Sequence, residues 1–112
     1  MKKVLVINGH PREGSLNDAL EEAYVKGVRG AGGEARVLRI RDLDFDVSFA
    51  GYQPGHGELE PDLKAAQASI AWSEHLVFLL PVWWGNWPAF LKGFLDRVLL
   101  PGYAFRAKSR CN

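Results

Sequence analysis

A chain of 112 residues has room for one domain, which should bury about two-thirds of its unfolded surface. With 47% hydrophobic residues, 24% charged residues and a formal net charge of +1, it lacks the basic field that nucleic acid or an anionic membrane would call for. Its one cysteine, Cys111, excludes an internal disulfide, so a reducing, cytoplasmic setting is expected.

Lys2 and Lys3 precede only four strongly apolar residues, Val4, Leu5, Val6 and Ile7, too few for the core of a signal peptide. The longest nonpolar run, residues 76–84, holds nine residues, whereas a membrane-spanning helix needs about 20. A soluble chain is expected. The 4–7 run is apolar without alternation, the pattern of a strand covered on both faces in a parallel sheet. A loop with glycine, proline and serine follows, then a helix over about 17–31. Its expected apolar face is Leu16, Leu20, Ala23, Tyr24, Gly27, Val28 and Ala31. Asp18, Glu21 and Glu22 load the first turns and Lys26 and Arg29 the last, which suits the helix dipole, and Glu22 can pair with Lys26.

Residues 35–40 read as a second strand carrying Val37, Leu38 and Ile40. Residues 41–61 have no clear period and form either a working loop or one that hides a short element. A second helix is expected from Pro61 or Asp62 to Ser73, burying Leu63, Ala66, Ile70 and Trp72. The third strand is 75–80. The third helix runs over 89–99, with Pro88 at its first position and Pro101 and Gly102 after it. Its wide apolar band (Phe90, Leu91, Phe94, Leu95, Val98, Leu99) reads as core packing mixed with an interface. The order βαβαβα predicts a doubly wound parallel sheet of three α/β/α layers with right-handed crossovers, of which only the first half is present. With the spatial order 2-1-3, the third strand keeps an open apolar edge.

Two loops carry the functional signal. Between the first strand and helix, residues 9–17 supply two glycines, the donors Ser15 and Asn17, and His10 and Arg12, all at a helix start that favours anions. The spacing of Gly9 and Gly14 imitates a P-loop, but Ser15 stands where the lysine for a γ-phosphate belongs. A G-x-G-x-x-G is absent too, which disfavours a dinucleotide fingerprint. Simple capping by Ser15, with Asp18 completing a capping box, is the plain alternative. After the third strand come Pro81, Val82, Trp83, Trp84, Gly85, Asn86 and Trp87, a cluster of flat side chains at the carboxyl end of a buried strand. Strands 1 and 3 should lie roughly 5 Å apart. The two loops would then flank one topological switch point, where a ligand with a phosphate at one end and a flat ring at the other fits; flavin mononucleotide is the natural candidate. His56 and His75 read as exposed, and no His, Cys or carboxylate spacing points to a metal.

Residues 4–12 with Ser15 and Asn17, then Gln67, residues 80–85, 88–98 and 101–105 together resemble the flavodoxin-like NAD(P)H:quinone oxidoreductases. That group includes the modulators of drug activity and the ancillary subunits of potassium-efflux systems. The resemblance implies FMN or FAD as cofactor, NAD(P)H as co-substrate, a quinone as acceptor and a homodimer. By motif position it implies that His10, Ser15, Leu16 and Asn17 meet the phosphate end of the flavin and that Gln67 contacts it. Pro81, Val82, Trp83, Trp84 and Gly85 would line the ring, and Phe105 would lie near the substrate. Residues 1–105 would be the N-terminal part of the flavin-binding domain and 106–112 a tail outside the match. The family's second half, with its tyrosine and histidine that assist hydride transfer, has no counterpart in residues 1–105, so no catalytic acid or base is assigned. A flavin-binding regulatory subunit of a cation-efflux system and an inactive fragment stand as alternatives.

Overall fold

The computed structural model describes residues 2–48, 59–100 and 103. Its elements are β1 (Lys3–Asn8), α1 (Leu16–Gly30), β2 (Glu34–Arg39), a 3₁₀ turn (Ile40–Asp42), α2 (Pro61–Trp72), β3 (His75–Leu79) and α3 (Ala89–Val98). The sheet has the order β2-β1-β3 and every pairing is parallel. Val6 lies between Val37 and Val77, and Ile7 between Leu38 and Phe78. This is the doubly wound arrangement expected from the element order.

Because side chains alternate across a strand, β1 feeds two cores. Leu5 and Ile7 pack with Ile40, Leu63, Ala66, Leu91, Phe94 and Val98, which are all fully buried. Val4 and Val6 point the other way, onto Val25 and Val28 of α1, with Val37, Val77 and Leu79 beside them. Thus α1 covers one face and α2 with α3 the other. Burying a side chain the size of Phe94 contributes roughly 1.5–3 kcal/mol.

Two glycines mark close approaches. A Cβ on Gly9 would stand 2.7 Å from a methyl of Leu91, so β1 ends flush against α3. One on Gly93, inside α3, would stand 2.9 Å from the Val47 carbonyl, which lets the 43–48 segment cross that helix.

The orientation of α1 corrects the expectation. Its buried residues are Asn17, Glu21 and Val25, with Val28 packed on the same core, while Leu16, Leu20 and Tyr24 are exposed. Ala23, Gly27 and Ala31, also expected on the buried face, are exposed too. Asn8 and Arg39 hydrogen-bond to Glu21, which makes its burial affordable in a way hydropathy cannot register. Trp72 is a second correction. It is half-buried rather than core, with the Arg36 guanidinium 4.1 Å above its ring. Pro88 takes the N-cap position of α3 instead of its first helical position; the proline inside a first turn is Pro61 of α2. Among the described residues, a short element does enter the 41–61 stretch, the 3₁₀ turn Ile40–Asp42 that directly follows β2. His75 is exposed, Glu22 and Lys26 pair at 3.6 Å on the surface, and His56, Phe105 and Cys111 lie outside the described residues.

Candidate active site

Asn8 closes β1 and is fully buried, and the loop after it is organised by side chains. The Asn8 carbonyl oxygen Oδ1 accepts the His10 amide at 3.0 Å, while Nδ2 donates to Asp18 at 2.8 Å and to Glu21 at 3.0 Å. His10 Nδ1 accepts the Arg12 amide at 3.0 Å, so in the neutral ring the proton sits on Nε2, which becomes a donor. Ser15 is the N-cap of α1, its hydroxyl oxygen accepting the Asp18 amide. That realises the capping reading and leaves the first-turn amides of Leu16 and Asn17 without intrahelical partners. Asp18 departs from a capping box: its Oδ2 accepts the amide of Gly14, at φ +77°, rather than that of Ser15.

After β3 the chain makes a second built loop. Trp83 and Asn86 exchange backbone hydrogen bonds at 2.8 and 3.0 Å around Trp84 (φ 53°) and Gly85 (φ 70°). Two central residues with positive φ define a type I′ hairpin turn. This turn presents its indoles outward: Trp83 is 46% exposed and Trp84 103%. Val82 is exposed beside them, Pro81 is half-buried, and Trp87 stacks on Phe78 with ring centroids 5.9 Å apart.

The two loops meet. The Gly9 amide donates to the Leu79 carbonyl at 2.8 Å, continuing the β1–β3 ladder into the loops. Just beyond, the His10 and Trp83 rings touch edge to face with centroids 5.8 Å apart. His10, Ser15, Leu16 and Asn17 therefore belong to one of two touching loops and Pro81, Val82, Trp83, Trp84 and Gly85 to the other. Gln67 lies on α2, and its side-chain amide donates to the Val98 carbonyl at 3.0 Å, at the C-terminal end of α3.

Sequence reasoning missed the charged layer behind the anion loop. Arg41 forms a two-pronged pair with Asp18 at 2.9 and 3.1 Å, and Arg39 one with Glu21 at 3.0 and 2.6 Å. The Arg41 guanidinium and the Gly14 amide hold the Asp18 carboxyl far below the usual carboxylate range. Burial alone would raise Glu21, but Arg39 and Asn8 outweigh it and keep that carboxyl low as well. The available signal was topological. In the order 2-1-3 the basic end of β2 must lie beside the start of the 9–15 loop.

The Flavodoxin-like fold family matches residues 2–111. The chain belongs to that family. Among flavodoxin-like relatives, a ribosyldihydronicotinamide dehydrogenase-like protein of Penicillium crustosum is 29% identical over 120 residues, covering 90% of this chain and 45% of its own. The human ribosyldihydronicotinamide dehydrogenase [quinone] is 28% identical over 124 residues, covering 93% and 54%. Among solved structures, the NAD(P)H:quinone oxidoreductase of Methanothermobacter marburgensis superimposes with a TM-score of 0.78 at 29% identity, covering 94% and 57%. The chain spans about half the length of the curated relatives it matches. No helix among the described residues is long and apolar enough to cross a membrane.

Proposed function

We propose that this chain binds a flavin, FMN or FAD, where the two loops meet above β1 and β3 and serves two-electron transfer from NAD(P)H to a quinone. The observation that carries the reading is the His10–Trp83 contact, which joins an anion-favouring helix start to an exposed aromatic turn over adjacent strands. The residues fit such a group at both ends. Open first-turn amides, the Ser15 and Asn17 side chains and the His10 Nε2 donor suit a phosphate. Trp83 and Trp84 offer flat surface to a ring, and Pro81, Val82 and Gly85 border it. Bound flavin supplies the hydride chemistry between reduced nicotinamide and quinone. The chain's own part is to grip, orient and shield from water. Residues 1–105 acting as the flavin-binding part of a cytoplasmic homodimer belong to the same reading. A cofactor contact by Gln67, on α2, belongs to the same reading as well.

Flavin fluorescence quenching during titration of the purified chain tests this. His10→Ala and Trp83→Ala should each weaken binding about tenfold, a loss of one charge-assisted or one stacking contact. NAD(P)H oxidation with a soluble quinone then tests the oxidoreductase part. Binding without turnover would favour a flavin-binding regulatory role. A wild-type chain that quenches neither FMN nor FAD sinks the reading.

A further inference from the structure

The 9–15 loop is tied at two points to one ion pair. Asp18 holds the Gly14 amide at 2.8 Å through Oδ2 and accepts Asn8 Nδ2 through Oδ1. Arg41 grips both oxygens of that carboxylate and also donates to the Arg12 carbonyl at 3.2 Å. Arg41 is mostly buried although it belongs to a different strand's exit, the 3₁₀ turn after β2. A bidentate pair of this kind fixes geometry as well as charge. Its location has an electrostatic consequence too. An unpaired carboxylate in the first turn of α1 would repel an incoming phosphate at close range; Arg41 cancels it.

We propose that the Arg41–Asp18 pair is a positioning latch for the anion loop, holding residues 12–14 in place around the first amides of α1 before ligand arrives. The proposal rests on the reading of that loop as the phosphate end of a flavin site. Neither residue need touch the ligand. Removing the latch should therefore cost phosphate recognition and leave ring recognition alone.

The test compares FMN with riboflavin, which carries the same ring and no phosphate, in the full chain. Arg41→Met should weaken FMN about tenfold and riboflavin less than about twofold, at a thermal midpoint that circular dichroism shows to be near the wild-type value. The double variant D18N/R41M restores the wild-type net charge without restoring the tether, so its FMN deficit should persist. Arg41→Lys keeps the charge and loses the fork; it should show an intermediate deficit and serves if the methionine variant does not fold. Without ligand, the Gly14 amide should exchange with solvent faster in each variant. Recovery of FMN binding in the double variant would reduce the effect to charge alone and overturn the latch. Equal losses for FMN and riboflavin, or no loss, would overturn it as well. Wild-type chain that binds neither ligand would instead defeat the parent reading, and the latch with it.

Discussion

Trp84 sits on backbone that glycine or asparagine normally supplies. At φ 53° its Cβ crowds the following carbonyl, a cost of about 1–2 kcal/mol for an L-residue. Its indole is fully exposed, so no packing within the described residues repays that cost. Strained residues kept in this way cluster at ligand sites. Trp84→Asn should then raise stability by about 1 kcal/mol, seen as a thermal midpoint higher by a few degrees. The same change should weaken flavin binding, because the turn would keep its shape and lose a ring. A variant that is no more stable than wild type would show that the turn carries no strain at this position.

Elements are joined by a few charged ties, and one of them links α2, α3 and the 43–48 segment. Glu60, at the N-cap of α2, meets Arg97 in the last turn of α3 at 2.6 and 3.1 Å and accepts the Asp46 amide at 2.8 Å. Arg97 chiefly, with the Asp46 amide next, lowers the Glu60 carboxyl from 4.5 to about 2. A depressed carboxylate stabilises the fold above its unfolded value and loses that contribution as pH falls toward its folded one. Arg97→Gln should accordingly destabilise by about 1–2 kcal/mol at pH 7, allowing for partial solvent screening. Urea unfolding should show the gap to wild type narrowing between pH 4.5 and about 2; a gap that stays constant would mean Glu60 is not the titrating partner. The Glu60–Arg97 tie was not legible in the sequence, since residues 37 positions apart carry no local period. Strands, helices and their order were legible, because solid apolar runs and three-and-four spacing are local. The face of α1 was misread for the opposite reason. Its clearest apolar spacing, Leu16, Leu20 and Tyr24, lies outward, while Asn17 and the paired Glu21 are buried on the other side.

At the scale of the molecule, both loops of the candidate site were legible because each interrupts a strand–helix junction with unusual residues. Their meeting followed from topology alone, and so did the exposure of β3. Among the described residues β3 pairs only with β1. Leu76 and Phe78 share the face of Leu5 and Ile7 by register, yet those two residues of β1 are buried while Leu76 is 40% and Phe78 37% exposed. The stacked Trp87 extends that apolar surface. In the flavodoxin-like strand order a further parallel strand lies next to the third, which is the neighbour this surface suits. An uncovered apolar strand with free backbone donors and acceptors pairs with whatever strand it meets. Sedimentation velocity on the 112-residue chain should show an average mass that climbs with concentration. Leu76→Lys with Phe78→Lys places two like charges on adjacent positions of that face, where a second chain would have to desolvate both. The double variant should stay monomeric over the same range while keeping its helical circular dichroism, since neither side chain is part of the fully buried core. If the variant associates as strongly as wild type, the contact between chains lies elsewhere, and the exposed Leu16, Leu20 and Tyr24 stripe of α1 becomes the surface to charge next.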